Sequence, residues 1–260
     1  MDFATTPYSL SNVQRNAWSR DGYVILRDLF TASEMAELAA ETECLSQRED
    51  LIDPFNLRCR YMPHHATGEP LFEVFDPVND VAPVCRRFAH DPRIVDAVAS
   101  IYGEPAALFK DKLIFKPPGA KGYDIHQDIP LSWADFPRSF LTVLIPIDPS
   151  DSANGCTQVY SGYHGGFLSQ DPNVYMLSPG AVDDSRRVDL ILNPGDVAIF
   201  HGLTPHGSGP NRSDGMRRAF FPSYNALSDG GDQRAAHYAS FRERMAGRFD
   251  AERRSKLFFK

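Results

Sequence analysis

The sequence contains no run of about 18 apolar residues, the length that a membrane-spanning helix requires. It also has no block of like charges, because its 34 acidic and 27 basic residues are dispersed and leave a formal net charge of −7. A surface that binds nucleic acid usually needs a clustered basic patch. We therefore expect neither a membrane nor a nucleic acid as a partner.

Cysteine is scarce, and its four copies stand alone without a Cys-x-x-Cys pair. Isolated cysteines are typical of buried thiols in a reducing compartment, and a disulfide pair is the alternative interpretation. The first residues lack the basic and apolar regions of a signal peptide. The expected location is cytoplasmic, and the expected oligomeric state is a monomer or a homodimer.

Hydrophobic periodicity divides the chain into three parts without a linker or a repeat, so we expect one domain of 260 residues. Residues from about 12 to 103 carry helical signals, among them the capping box of Thr31 and Glu34. Within them, residues 50–90 show no regular period and are predicted to be irregular. Short apolar or alternating runs from about 106 to 225, separated by turns, predict a sandwich or jelly roll. A last helix is predicted from about 232 to 249.

One short stretch, Tyr123-Asp124-Ile125-His126-Gln127-Asp128, holds two candidate metal ligands. His126 and Asp128 are two residues apart, and residues with this spacing project from the same face of a β-strand. Two histidines and one carboxylate form the facial triad that suits Fe(II) and leaves coordination positions open. His201 and His206, far along the chain, compete as the third ligand.

Further motifs surround these candidate ligands and give the chain a known pattern. They are Asp21-Gly22-Tyr23-Val24-Ile25-Leu26, His126-Gln127-Asp128, the turn from Asn154-Gly155 to Gly162-Tyr163-His164, Gly195-Asp196, His206-Gly207-Ser208-Gly209-Pro210-Asn211 and Gly215-Met216-Arg217. From about residue 18 to about residue 225, the chain thereby resembles the phytanoyl-CoA dioxygenase (phytanoyl-CoA hydroxylase) family of Fe(II)- and 2-oxoglutarate-dependent oxygenases. The combination of motifs is far more specific than the histidine and aspartate pair alone.

The resemblance implies a mainly β fold with flanking helices (α+β). Its centre would be a double-stranded β-helix, a cupin-like jelly roll with iron at the open end. The resemblance also implies that His126, Asp128 and His206 bind Fe(II). It favours His206 over His201, because His206 carries the His-Gly-Ser context and the family's spacing to the later arginine.

The family pattern further implies a set of residues that bind the cosubstrate, 2-oxoglutarate. Arg217 would pair with the distal carboxylate of 2-oxoglutarate through its planar guanidinium, a bidentate match that lysine cannot make. Ser208 would share the face of His206 and donate to the same carboxylate. Gln127, Thr142 and Lys112 are weaker candidates for contacts to the cosubstrate or substrate.

The activity that the resemblance implies is hydroxylation of an unactivated C–H bond of a small organic molecule, with O2 consumed and 2-oxoglutarate converted to succinate and CO2. Asp128 argues against halogenation, because a small residue replaces this carboxylate in the halogenating relatives. Desaturation, cyclisation or epoxidation would use the same cofactors. A catalytically silent jelly-roll binding protein, or a cupin-type enzyme with another metal, is the alternative from a different class.

Three lysines precede the metal motif in Phe109-Lys110-Asp111-Lys112-Leu113-Ile114-Phe115-Lys116. Strand alternation places Lys110, Lys112 and Lys116 on one face. A solvated sheet edge is the interpretation that the sequence favours, and a wall that binds an anionic substrate is the alternative. Other candidates to line a substrate pocket are Tyr123, Ile129 and Trp133.

Overall fold

The computed structural model of the chain describes residues 8–129, 136–169, 171 and 176–260. The helices are α1 (Asn12–Asp21), α2 (Ala32–Ser46), α3 (Pro83–Ala89), α4 (Pro92–Tyr102), α5 (Arg234–Gly247) and α6 (Ala251–Arg254). The strands are β1 (Tyr23–Leu26), β2 (Cys59–Pro63), β3 (Pro70–Phe75), β4 (Ala106–Lys116), β5 (Tyr123–His126), β6 (Phe140–Pro146), β7 (Thr157–Tyr160), β8 (Arg187–Asp189), β9 (Val197–His201), β10 (His206–Ser208) and β11 (Arg217–Ala226). None of these helices is both long and apolar enough to cross a bilayer.

The strands form two antiparallel sheets. The larger has the order β1-β9-β6-β11-β4-β3-β2, and the smaller has the order β5-β10-β7-β8. Neighbours in both sheets are often far apart in sequence, so the chain crosses between the sheets several times. This arrangement confirms the predicted fold class, a double-stranded β-helix that is mainly β with flanking helices.

The two faces of the large sheet pack against different partners, and strand alternation explains the division. On β6, Leu141, Val143 and Ile145 join the apolar cluster that includes residues of α2, α3 and α4. The intervening Leu144 joins a second cluster, which contains Val159 of the small sheet. The helices therefore cover one face of the large sheet, and the other face, opposite the small sheet, is left to form the interior of the jelly roll.

The prediction that residues 50–90 are irregular was wrong. This segment contributes β2 and β3, a hairpin at the edge of the large sheet, together with the short helix α3. Strand β2 is only partly buried, so its sequence lacks the alternation that would identify it. Prolines at both partnered ends, Pro63 and Pro70, further obscure its strand character.

The predicted capping box begins α2 and also ties that helix to α4. The backbone N–H of Glu34 donates to the Thr31 hydroxyl at 3.3 Å, and the Glu34 carboxylate accepts from the Thr31 N–H at 2.8 Å. The same carboxylate pairs with Arg93 at 2.5 Å, and Arg93 pairs with Asp91, the N-cap of α4. Hydrogen bonds from Arg93 and Thr31 lower the pKa of Glu34 from 4.5 to about 2.

We predict that Glu34→Gln lowers the free energy of unfolding by about 1 kcal/mol at pH 7, the usual size of a cap or a partly exposed ion pair. A carboxylate with a depressed pKa stabilises the fold above its unfolded pKa, and this contribution is lost as the pH falls through the folded value. The difference between wild type and variant should therefore shrink between pH 5 and pH 2. Urea unfolding at pH 7 and pH 3 measures it.

Glu69→Gln is the matched control, because Glu69 is an exposed glutamate outside the capping network. It should unfold like the wild type at both pH values. A loss from Glu34→Gln of the same size at pH 3 as at pH 7 would contradict the assignment of the effect to the ionised carboxylate.

Candidate metal centre and active-site cavity

His126 and His206 lie directly opposite each other on the antiparallel strands β5 and β10. Both side chains are buried, and their ring centroids are 4.2 Å apart. Asp128, two residues beyond His126, places its carboxylate oxygens 4.0 Å from Nε2 of His126 and 3.7 Å from Nε2 of His206. One ligand atom from each of the three residues lies within 4.8 Å of the others, which is close enough for a single ion.

Backbone carbonyls orient both imidazoles. Nδ1 of His126 is 2.8 Å from the carbonyl oxygen of Asp124, and Nδ1 of His206 is 3.0 Å from that of Thr204. Each contact requires a proton on Nδ1, so the lone pair of each ring is on Nε2, the atom that faces Asp128. Hydrogen bonding of the second ring nitrogen to a carbonyl is typical of histidines that bind metal.

The Asp128 carboxylate is held on one side and unsatisfied on the other. Its Oδ2 accepts from the Thr142 hydroxyl at 2.7 Å, and its backbone N–H donates to the Gly202 carbonyl at 2.7 Å. Its Oδ1 is buried and accepts no hydrogen bond from any residue within the described ranges. A buried carboxylate oxygen without a hydrogen-bond donor is costly. The Lys110 ammonium group is 3.9 Å from this oxygen, beyond hydrogen-bond distance, and a metal ion in direct contact would satisfy it.

The protonation states of these three residues suit metal binding. Burial, with a smaller contribution from His206, lowers the pKa of His126 to about 3, and burial also lowers the pKa of His206. Burial by itself would raise the pKa of Asp128, but the pKa is lowered because Lys110 and His206 face the carboxylate. Neutral imidazoles and an ionised carboxylate are the forms that coordinate a metal.

Two buried basic side chains, Arg217 and Lys116, lie on neighbouring strands of the large sheet. Arg217 begins β11 and lies opposite Lys116 of β4. Its Nη2 donates to the Gly155 carbonyl at 3.0 Å, whereas its buried Nε has no hydrogen-bond acceptor in the described part of the chain. Lys116 donates to Gly155 at 2.9 Å and to the Ser208 hydroxyl at 2.8 Å. Since that hydroxyl accepts from Lys116, its own proton can be donated to a ligand.

The turn at Gly155 requires glycine. Its φ is +69°, and a Cβ atom there would lie 2.4 Å from the Gly209 carbonyl oxygen and 2.8 Å from Nζ of Lys116. Any other residue would push the carbonyl groups away from the two cations. The glycine of the Asn154-Gly155 motif is therefore explained by its close packing against Gly209 and Lys116.

A buried carboxyl group near these cations was missed from the sequence. Glu73 of β3 is fully buried, and its Oε2 accepts from the Tyr123 hydroxyl at 3.1 Å. Burial raises the pKa of Glu73 to about 6. The available signal was a single charged residue within the apolar run Leu71-Phe72-Glu73-Val74-Phe75.

A cavity of about 440 Å³, measured to include its open mouth, lies between the sheets. Its lining residues are Lys112, Ile114, Tyr123, His126, Thr142, Thr157, Phe200, His206, Gly207, Ser208, Arg217 and Phe221. The candidate ligands His126 and His206 therefore share one cavity with Arg217 and Ser208. Apolar side chains of the interior cluster, including Phe200 and Phe221, form much of the remaining wall.

Two sequence candidates lie outside this cavity. The Gln127 amide donates to the carbonyls of Gly166 and Leu203, at 2.9 and 2.6 Å, and accepts from Leu168, so it joins two loops. Nδ1 of His201 accepts from the Leu203 N–H at 3.0 Å, and His201 is not part of the three-residue cluster. The structure thus brings His206, and not His201, to His126 and Asp128.

The interpretation of the three β4 lysines as a solvated edge was wrong. Strand β4 lies inside the large sheet between β11 and β3. Lys116 is completely buried, the Lys110 side chain is 12% exposed, and Lys112 lines the cavity. Among the other pocket candidates, Ile129 is buried in an apolar cluster; Trp133 lies outside the described residues.

Comparisons with known proteins agree with this geometry. The chain is 29% identical over 233 residues to a 2-aminoethylphosphonate dioxygenase from an uncultured bacterium, covering 89% of this chain and 87% of the relative. It is 29% identical over 255 residues to a methylphosphonate hydroxylase from Gimesia maris, covering 92% and 89%. The crystal structure of EctD from S. alaskensis with 2-oxoglutarate and 5-hydroxyectoine superimposes with a TM-score of 0.68 at 23% identity, covering 88% of this chain and 83% of EctD.

The family comparison covers most of the sequence. Residues 18–219 match the family described as phytanoyl-CoA dioxygenase (PhyH). This match confirms the resemblance drawn from the motifs around His126, His206 and Arg217. The chain belongs to the phytanoyl-CoA dioxygenase family.

Proposed function

We propose that the chain is a non-haem iron oxygenase that uses 2-oxoglutarate and O2 to hydroxylate an unactivated C–H bond of a small organic molecule, with the whole chain forming one oxygenase domain. The observation that carries this proposal is the sharing of one cavity by two different groups of residues. His126, Asp128 and His206 form the candidate metal centre, and Arg217 supplies a buried cation beside it.

The donor set fits Fe(II). Two imidazole nitrogens from the neighbouring strands β5 and β10 and one carboxylate oxygen from beyond the end of β5 are the donors of a facial triad, which would leave the remaining positions to exogenous ligands. Oδ1 of Asp128 accepts no hydrogen bond from the described residues, and a bound cation would compensate its negative charge. Thr142 acts as a positioning residue, because its hydroxyl fixes the orientation of the carboxylate.

The residues around Arg217 fit the distal carboxylate of 2-oxoglutarate. The guanidinium keeps Nε available, and the Ser208 hydroxyl has a proton to donate. Arg217 and Lys116 are two basic groups near one buried carboxyl group, that of Glu73. Burial lowers the pKa of Lys116 to about 7, so an additional carboxylate would favour its charged form. Tyr123 lies on the same cavity and can turn its hydroxyl from Glu73 to the incoming ligand.

When bound, iron and 2-oxoglutarate supply the activation of O2, with decarboxylation to succinate and CO2, and the oxidising power to break a C–H bond. The chain's own contribution is geometric and electrostatic. The paired strands β5 and β10 hold the ligands, Arg217 orients the cosubstrate, and Phe200 and Phe221 exclude water from the cavity. Desaturation, cyclisation or epoxidation would require the same residues, and product analysis distinguishes them from hydroxylation.

We predict that His126→Ala abolishes Fe(II)-dependent formation of succinate from 2-oxoglutarate. Loss of a ligand should reduce metal affinity by more than the roughly 10- to 100-fold that loss of an outer-shell partner costs. Succinate formation and Fe(II) binding measure the effect. His201→Asn is the control, because His201 is a nearby histidine outside the cluster. Unchanged turnover in His126→Ala would exclude the proposed metal centre.

We predict that Arg217→Lys raises the KM for 2-oxoglutarate by about tenfold or more, since a lysine cannot make the bidentate contact. Fe(II) affinity should stay within about twofold of the wild type, because Arg217 does not belong to the ligand cluster. Arg218→Lys serves as the control: Arg218 is the next residue but pairs with Asp148 and Glu43 instead. The same KM in Arg217→Lys and wild type would remove the basis for 2-oxoglutarate as cosubstrate.

A further inference from the structure

Lys110 and Lys116 lie on the same face of β4 but at different positions along the strand. Lys116 lies opposite Arg217, whereas Lys110 lies opposite Ser223, six residues further along the paired strands. At about 3.3 Å per residue, the Cα atoms of Lys110 and Lys116 are roughly 20 Å apart. Lys110 therefore starts from a different part of the strand than the residues that surround Arg217.

Lys110 lies beside the candidate metal centre. Its Nζ is 3.9 Å from Oδ1 of Asp128 and 4.7 Å from the ring centroid of Phe140. The Thr142 and Ser223 hydroxyls, 3.4 Å apart, lie at the same level of the sheet. The Thr142 proton is already donated to Asp128, so the Lys110 ammonium group, with its three N–H donors, is the group at this level that can bind an oxyanion.

Lys112 lies between the two ends and faces the cavity. It lines the cavity together with His126, and its Nζ is 5.5 Å from the ring centroid of Phe221. Within the described residues, its ammonium group has no ion pair and no hydrogen bond, in contrast to Lys116 with its three acceptors. An ammonium group in such a position is costly unless a ligand pairs with it.

The charge at this end of the cavity depends on the metal. Asp128 is the carboxylate that faces Lys110, and it attracts Lys112 as well. A divalent cation bound by Asp128 would neutralise the charge of that carboxylate and add positive charge to the site. The two lysines would then face a site that favours an anion more strongly than before.

We infer that Lys110 and Lys112 form an anion subsite that binds a compact oxyanion group of the primary substrate, specifically a phosphonate. The inference rests on the proposed function, because it takes the substrate to lie at the same metal centre. Two ammonium groups act as point charges and match a tetrahedral dianion, whereas a planar carboxylate is better matched by a guanidinium such as Arg217. The subsite would hold the substrate at the Asp128 end of the cavity, and Arg217 would hold 2-oxoglutarate at the other.

Binding measurements on the Fe(II) and 2-oxoglutarate complex without O2 test this inference separately from turnover. The ligands are methylphosphonate and 2-aminoethylphosphonate, their carboxylate counterparts acetate and β-alanine, and the neutral ethanol and ethanolamine. The proteins are wild type, Lys110→Met, Lys112→Met and the control Lys121→Met, in which the lost lysine is half-exposed and pairs with Asp124. Calorimetric titration gives each Kd, and thermal unfolding verifies that each variant is folded.

We expect a phosphonate to bind the wild type more tightly than its carboxylate and neutral counterparts. Lys110→Met and Lys112→Met should each bind the phosphonate about tenfold or more weakly than the wild type does, the usual effect of losing a charged hydrogen-bond partner. Lys121→Met should match the wild type. Lys110→Arg, which keeps the charge, should recover part of the affinity lost in Lys110→Met.

Three results would overturn the inference: no saturable phosphonate binding to the wild type, unchanged Kd in the methionine variants, or preference for the carboxylates. A weaker affinity of Lys112→Met for 2-oxoglutarate alone would assign Lys112 to the cosubstrate and exclude it from the subsite. These failures are distinguishable from failure of the proposed function. If binding of 2-oxoglutarate still depends on Arg217, only the anion subsite is excluded.

Discussion

The antiparallel pairing of β5 with β10 is the constraint on which the candidate active site depends. It places His126 and His206, from distant parts of the sequence, directly opposite each other, where side chains on one face of paired strands are about 5 Å apart. Asp128 completes the cluster because it follows His126 by two residues. A shift of one residue in this pairing would turn the histidine of one strand away from the cavity. The hydrogen bonds of both imidazoles to carbonyls of their own segments then fix which nitrogen faces the ion.

Basic side chains are concentrated in the interior of the jelly roll, and burial lowers the pKa of each of its three β4 lysines. Carbonyl groups of the Gly155 turn stabilise Arg217 and Lys116, and Asp128 faces Lys110. Such groups are costly to bury without partners, so their presence indicates ligands that bring negative charge. A metal centre between two cationic regions would bring two anionic molecules together, and each could be oriented by a different kind of basic side chain. The apolar wall around them strengthens these interactions, since it lowers the local dielectric constant.

The features with a fixed local spacing were predictable from the sequence. The His126 and Asp128 pair was predictable from its two-residue spacing, although β5 ends at His126 and Asp128 lies beyond the strand. The capping box at Thr31 follows from side-chain chemistry, and the order of later motifs indicated the family and its jelly roll. The burial of the β4 lysines was not predictable, because it depends on β4 being an interior strand, which only the pairing with β3 and β11 determines. The contact of Glu73 with Tyr123 was not predictable either, because the two residues come from different sheets. The contact of Gln127 with cosubstrate or substrate stays a prediction; in the structure its amide joins two loops, which its place between two candidate ligands does not indicate.

Strand β4 separates two chemically different environments from Lys112 to Lys116. Leu113 and Phe115 pack under the helices, while Lys112 and Ile114 line the cavity and Lys116 donates to the Gly155 carbonyl. Inserting or deleting a single residue would exchange the two faces and drive ammonium groups into the apolar layer. Related sequences can therefore vary the chemistry of this strand by substitution, but not its length. Differences in substrate preference among them should be sought in which side chain stands at a given β4 position, and loop length at the cavity mouth is free to vary independently.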